Sequence, residues 1–476
     1  MDVDLVRFAV EYARNLGVNY CEARFHGTRE VTGILKNGLP EPAVIGDSVG
    51  LGMRVLHKGA LAFASTNILD KASVRETVSE AVKGAKAAKI LLRKEVRFSE
   101  EKAARRKWSA PEKRRMENVG VEKLLTELRE IDHAAVKSGV GVKIPNRFHV
   151  LGLSVEEKVY ANSEGANLRS RVPRIYYFSY LTAVHEGRTS QRTLQKGESG
   201  GWEAYGRMKV DDMVKHEAKI LGLVLKKAVK PPTGKLDVVM APEVSGIAAH
   251  ESVGHPTEAD RIIGREAAQA GESYLKPENV GMKIGSEQAY LSDDPRLPNS
   301  YGFYLFDDEG VVARKRALIE AGYIKELLHN RSTAYEFGLK SNASSRSIRF
   351  DREPIVRMGN TFVEPGDYTL DELFENVAHG IYLKSFMEWN IDDKRLNQRY
   401  TGFEAYLIEK GELKGLVKNP VLEITTQALW SSVDARGREM EFFAGTCGKG
   451  DPMQGCPVWM GGPDVRLRNV TIGVRE

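Results

Sequence analysis

The chain of 476 residues is 42% apolar and 28% charged, with 45 Gly and 18 Pro, a balance that excludes a disordered or fibrous protein and allows about two to four domains. Its formal net charge of +5 is small for that length and gives little support to a dedicated nucleic-acid binder. The acidic start MDVDLV is unlike a signal peptide, no run reaches the ~18 apolar residues of a membrane helix, and three cysteines, Cys21, Cys447 and Cys456, fit a reducing cytoplasm.

The spacing of Val3, Phe8, Val10, Ala13 and Leu16 predicts a first helix over residues 2–16, closed by Gly17. CEARFHGTREVTGILKNG and DSVGLGMRVLHKGALAFAST alternate and are broken by Asn-Gly and Lys-Gly, the pattern of antiparallel hairpins. Residues 70–92 read as helix. The run RKEVRFSEEKAARRKWSAPEKRRM (93–116) mixes both charges around one aromatic residue, Trp108, which favours a solvated helix face over a nucleic-acid patch. A helix over 120–138, strands through 147–187, the Gly-rich turn GESGGWEAYG and a helix over 211–228 follow. KAVKPPTGK then marks the best boundary in the chain, dividing domain 1–228 from domain 229–476. Beyond it, KLDVVMA reads as a buried strand and Pro242 as the first turn of a helix. The rest is short strands and turns, with helices near 328–338 and 369–380. The pattern is α+β: helices packed on antiparallel sheet, then a strand-rich half.

Residues 245–260, SGIAAHESVGHPTEAD, place His250, Glu251 and His255 in a small, apolar setting. Zinc proteases often space two histidines four apart on one helix face. Here the spacing is five, and at about 100° per residue the second ring points roughly 140° from the first, against about 40° for a spacing of four. Gly254 and Pro256 are expected to free His255 from the helix so that it can swing back. A catalytic zinc needs a third protein ligand and an open position. Candidates are Glu258, Asp260, Asp451 and the cysteines of AGTCGKGDPMQGCPVWMGGP, with Cys447 first, because glycines flank it, and Cys456 second. Cys21 reads as a small core residue. Glu251, next to a ligand, is the natural general base for water-driven amide cleavage. Lys449 and Arg346 are candidate oxyanion donors.

Other motifs carry less. His216-Glu217 lacks a second histidine, and His329 and His379 stand alone in the later half. Gly197-Glu-Ser199-Gly-Gly201 matches the nucleophile elbow, but that motif needs a strand before it and a helix after it, and 202–206 reads as loop. Gly50-Leu-Gly52 lacks the third glycine of a dinucleotide fingerprint.

SVGLGMRVLHKGALAFAST, VYANSEGA, FDDEGVVARKRALIEAGYI, RMGNTFVEPGD, EAYLIEKGEL and AGTCGKG, together with His250-Glu-Ser-Val-Gly-His255, resemble the TldD/PmbA family of metallopeptidases in its metal-bearing TldD branch. The resemblance implies that His250, His255 and Cys447 bind Zn2+ and that Glu251 is catalytic. It implies a C-terminal β-rich, barrel-like domain carrying the metal. It also implies a dimer with a metal-free PmbA/TldE-type paralogue, whose cavity admits unfolded or extended peptides. Gly359 stands where the family usually has threonine, and 451–455 departs from its commoner run. Two other readings exist. One is a nucleic-acid-linked regulator of DNA gyrase resting on 93–116, and the other a non-catalytic zinc module closed by Glu258 or Cys456.

Overall fold

Two-residue turns build the first sheet. Asn37-Gly38 and Lys58-Gly59 have all four residues at positive φ (52°, 83°, 48° and 82°), the geometry whose twist matches paired strands. In the computed structural model, which describes residues 3–266 and 271–475, these turns join β1 (Tyr20–Lys36) to Leu39–Pro40, and β2 (Val44–His57) to β3 (Ala60–Thr66). With β4 (Arg105–Ser109), β5 (Lys143–Asn162), β6 (Asn167–His185) and β7 (Arg188–Ser199) they form one sheet of eight strands. Its order is β3-β2-β1-β5-β6-β4, with Leu39–Pro40 added to β1 and β7 to β6.

One face of this sheet is apolar. Cys21, Ala23, Phe25, Met53 and Val55 pack under α1 (Val3–Asn15) and α2 (Lys71–Leu91). Leu151, Leu153, Ile175 and Tyr177 pack under α3 (Val121–Ser138) and α5 (Val210–Lys227), the latter preceded by the short α4 (Glu203–Met208). The opposite face is charged yet buried, because the later half of the chain lies against it. Arg54 pairs with Glu22 (2.8 Å) and Glu309 (2.5 Å), Arg24 donates to the carbonyl of Arg352 (2.9 Å), and Lys158 meets Asp308 (3.0 Å).

Past residue 233, β8 (Gly234–Met240) leads into α6 (Pro242–Ala249). Among the described residues, a nine-stranded and a six-stranded sheet enclose a core that includes Val244, Ile247, Val253, Leu291, Val458 and Leu467. The six-stranded sheet carries β9 (Leu291–Asp293), β10 (Arg316–Glu320), β11 (Asn360–Val363) and, later in the chain, the hairpin of Glu441–Lys449 and Gln454–Gly462. The chain is α+β, as its pattern predicts, and includes a curled, half-barrel sheet. The helix expected near 328–338 is Arg331–Glu336, and that near 369–380 is only Leu370–Phe374, because His379 starts a strand.

The charged run 93–116 departs from expectation, since it holds no α-helix. It is extended and crosses between the halves: the Ser99 N–H donates to the Arg331 carbonyl (3.0 Å), and the Glu101 carboxylate accepts from the Ser341 N–H (2.7 Å). Long-range backbone pairing has overridden a helical charge pattern that had no apolar stripe to bury.

His26 lies on the charged face at 1% exposure, 3.8 Å from the Glu156 carboxylate. Burial, with Lys158 and Arg24 nearby, pushes it from its ordinary 6.5 down to about 3. The unfolded chain therefore takes up this proton first on acidification. The stability this imparts is complete above pH 6.5 and is lost progressively as pH falls toward 3, at up to about 1.4 kcal/mol per pH unit. His26→Gln should flatten the pH dependence of unfolding free energy across that window; an unchanged slope would mean that other groups carry it.

Candidate metal centre

α6 starts on Pro242, whose missing N–H costs nothing at a first turn, and it does not stop at His250. The helix widens into one π turn over His250–Gly254 and then tightens into a 3-10 turn over His255–Thr257. His255 keeps helical dihedrals (φ −61°, ψ −45°), and its N–H donates to the His250 carbonyl. The expected departure of His255 from the helix is therefore corrected: the helix absorbs one extra residue, and the wider turn brings positions five apart to one side. The two imidazoles meet edge to face with centroids 4.9 Å apart.

Side chains hold this turn open. Ser252 Oγ donates to the Ala248 carbonyl (2.6 Å) and accepts from Trp430 Nε1 (2.9 Å), while Thr257 Oγ1 donates to the Gly254 carbonyl (2.9 Å). Gly254 is required by contact, because a Cβ there would overlap the Met358 thioether.

The third group comes from β12 (Glu441–Lys449) of the hairpin that returns through β13 (Gln454–Gly462). Cys447 Sγ lies 3.3 Å from His250 Nε2 and 3.2 Å from His255 Nε2. One donor atom from each residue falls within 4.8 Å of the others, and all three residues are buried. Burial alone would raise the Cys447 thiol, but His255 and Arg357 beside it bring it down to about 7. Burial holds both imidazoles below their ordinary value. Two imidazoles and a readily ionised thiol suit zinc.

The alternative ligands lie elsewhere. Glu258 bonds His255 Nδ1 (3.0 Å), on the far side of the ring from Cys447, and also takes Arg261 Nε (2.6 Å). Burial opposes its charge, but Lys449, Arg261 and His255 keep its carboxyl well below the usual range. Asp260 accepts from Lys449 Nζ (2.7 Å), Asp451 is exposed in the hairpin turn, and Cys456 is Cys447's cross-strand partner, outside the three-residue cluster. The oxyanion assignments fail on position. Lys449 is buried among Glu258, Asp260 and the Val356 carbonyl, and Arg346 is engaged by the carbonyls of Met358 (2.6 Å) and Pro457 (2.9 Å).

Glu251 pairs instead with Arg395, a residue not singled out in the sequence. Arg395 sits at φ 64° in the turn after Phe386–Ile391, with its N–H on the Asp392 carbonyl (2.9 Å) and its own carbonyl held by Thr426 Oγ1 (2.9 Å). His250, Glu251, His255, Cys447 and Arg395 share the wall of one cavity of about 1370 Å³. Arg357, equally missed, donates to the carbonyls of Cys447 and Gln454. His216 lines the same cavity, bonded to Glu404 (2.9 Å), whereas His329 is buried on Thr333 Oγ1 (3.2 Å) and His379 is exposed at a strand start. The elbow motif does lie between a strand and a helix, β7 and α4, contrary to the expected loop, but its Ser199 is buried at 2% exposure. At Gly359 a side chain would press on Pro295.

Three successive domain models of one family match: PmbA/TldA metallopeptidase domain 1 over residues 21–85, the central domain over 114–230 and the C-terminal domain over 233–474. The chain belongs to the PmbA/TldD metallopeptidase family. A metalloprotease of Methanocaldococcus jannaschii is 31% identical, the match covering 94% of this chain and 96% of that protein. A zinc metalloprotease TldD homolog of Saccharolobus solfataricus is 31% identical over 52% of this chain and 53% of its own length. Among solved structures, TldE from Thermococcus kodakarensis shares the fold, with a TM-score of 0.75 at 18% identity over 99% of each chain. Membership in the PmbA/TldD family thus makes the chain a peptidase-type hydrolase at family level.

Ser252→Ala would leave the Trp430 Nε1–H and the Ala248 carbonyl buried without their shared partner. Loss of about 1–3 kcal/mol is expected in denaturant unfolding. A loss below about 0.5 kcal/mol, the usual size of a neutral substitution, would show that the π turn does not need this hydroxyl.

Proposed function

We propose that the chain is a zinc-dependent peptidase that hydrolyses peptide bonds of unfolded or extended peptides, with His250, His255 and Cys447 as ligands and Glu251 as general base. The observation that carries this reading is the convergence of His250 Nε2, His255 Nε2 and Cys447 Sγ on the wall of a large cavity, beside Glu251. Zinc bound there would polarise the scissile carbonyl and acidify a water. Glu251 takes a proton from that water and returns it to the leaving amine. Arg395 engages Oε2 of Glu251 and leaves Oε1 for the water. Glu258 orients the His255 ring through Nδ1, the supporting role that carboxylates commonly play behind a ligating histidine. Because Glu258 is turned to that task, it does not close the site, which favours catalysis over a structural zinc.

Extended peptides suit the cavity. β12 is the last strand of its sheet, and residues 443–448 line the cavity wall, so a substrate strand can pair with the main chain beside Cys447. In this reading the protein works in the cytoplasm as a dimer with a metal-free PmbA/TldE-type paralogue. The fold shared with TldE is compatible with such a pairing.

Elemental analysis should find about one zinc per folded wild-type chain, lost in His250→Ala and Cys447→Ala. Glu251→Gln should keep the metal and lose about 10²–10⁴-fold in kcat on an unstructured fluorogenic peptide. Arg395→Ala should also keep the metal and lower kcat more than it raises KM, because its contact is to Glu251. Wild-type activity in Glu251→Gln, or a zinc-free wild type after zinc is supplied, would sink the mechanism.

A further inference from the structure

The charged run 93–116 takes no part in the metal site, and its placement carries a second one. β4 is the edge strand of the first sheet and runs parallel to the start of β6, setting Arg105 opposite Asn167 and Lys107 opposite Arg169. On α1, Arg7, Glu11 and Arg14 lie four and seven residues along one helix face. Together these elements line a cleft of about 690 Å³ holding six cations, Arg7, Arg14, Arg105, Arg106, Lys107 and Arg169, and one carboxylate, Glu11. Six cations against one carboxylate give this concave place a strong local positive charge, which focuses the field.

Several buried arginines elsewhere are met by acids: Arg54 by Glu22 and Glu309, Arg192 by Glu217 and Glu243, Arg316 by Asp293. Among the described residues, none of the six cleft cations makes an ion pair. Two of them are held by neutral groups. Arg105 Nε donates to the Gly165 carbonyl (3.1 Å), and the Asn167 amide, turned with its oxygen toward α1, accepts from Arg7 Nε (3.2 Å) and Nη2 (2.9 Å). Lys107 and Arg169 are neighbours on adjacent strands, where like charges repel. Arg7 and Arg105 are held in place without being neutralised.

Five of the six are arginine, whose planar fork matches phosphate oxygens two at a time. The apolar lining is Val10, Ala161 and Ala166, with no aromatic face for a base to stack on. We propose that the cleft binds an anion carrying two or more linked phosphates and grips it by the phosphates, as an oligophosphate or as a nucleic-acid backbone. None of the cleft residues lines the metal-site cavity, so the proposal stands apart from the peptidase reading.

The test measures binding of inorganic tripolyphosphate and of a single-stranded oligo-dT to the full chain at low and moderate salt. It compares wild type, the triple variant Arg105→Gln, Lys107→Gln, Arg169→Gln, and a control with three exposed lysines changed elsewhere, Lys219→Gln, Lys235→Gln, Lys418→Gln. Unfolding curves first establish that all three are folded. Tripolyphosphate affinity should fall at least about tenfold in the cleft variant, stay level in the control and weaken with salt. Tighter oligo-dT binding with a steeper salt dependence, lost in the same variant, supports the proposal with nucleic acid as the phosphate source. Tripolyphosphate binding alone supports a small ligand. The proposal is overturned if neither probe binds, if the control loses as much, or if polyglutamate of matched charge binds as tightly as tripolyphosphate.

Discussion

Two imidazoles five residues apart on a helix can share one point in space if the helix between them widens, and the bond from the His255 N–H to the His250 carbonyl widens it here. Much of the C-terminal core follows from that one register change. A π turn disturbs the backbone ladder around it, so side chains must complete the bonding, and Ser252, backed by Trp430, does so at Ala248. The wider turn also needs room, which accounts for Gly254 against Met358. Eight residues earlier, Gly246 lies flush on the backbone of Gly461, so no side chain fits at that point between α6 and β13. The irregularity is built in by tertiary contacts that local propensity could not supply.

The strand that carries Cys447 is tied to the helix that carries the two histidines by charge. Lys449, two residues beyond Cys447, reaches Asp260 and Glu258, and Glu258 in turn holds the His255 ring. One buried brace therefore sets the separation between the thiol on β12 and the imidazole on the helix. Arg261 joins the group through Glu258, so each of these buried charges faces an opposite one. Breaking one partner would strand a buried charge, which is far costlier than the pairs are worth in isolation. The same accounting explains why Lys449 is unavailable to a substrate, although its place in the motif suggested otherwise.

The sequence was legible where the physics is local. Asn37-Gly38 and Lys58-Gly59 demand hairpin turns, Pro242 marks a helix start, and His250-Glu-x-x-x-His255 pairs two candidate ligands whose spacing alone left metal binding open. It was silent where partners are remote. Glu251 and Arg395 are 144 residues apart, and the turn that carries Arg395 shows no spacing that points to Glu251. The unusual spacing of the histidines was visible, but two remedies fit it, an unravelled helix end and a widened turn. Only the packing of Trp430 and Met358 decides between them. The run 93–116 misled because a mixed-charge segment suits an exposed helix or an extended edge equally well, and the sheet partner at 167–171 decided the matter.

Alternation along β1 and β5 likewise announces two faces without saying what covers the polar one. Water or a charged protein surface would give the same pattern, since a polar residue tolerates burial once each of its charges is matched. Here the second case holds, and it connects the first sheet to the candidate metal centre. Arg192 on β7 reaches Glu217 on α5 (3.0 Å) and Glu243 in the first turn of α6 (2.5 Å), and donates to the Phe386 carbonyl (2.9 Å). One guanidinium thus joins the N-terminal sheet, its covering helix and the start of the helix that carries His250. Burial pushes the Glu243 carboxyl up even with Arg192 beside it, because Arg192 serves two acids. That imbalance lies near the N-terminus of α6, where a partial positive charge favours an anion. The helix end adds to the attraction of Arg192, and the placement of α6, and with it of the turn that carries His250, draws on electrostatics as well as on packing.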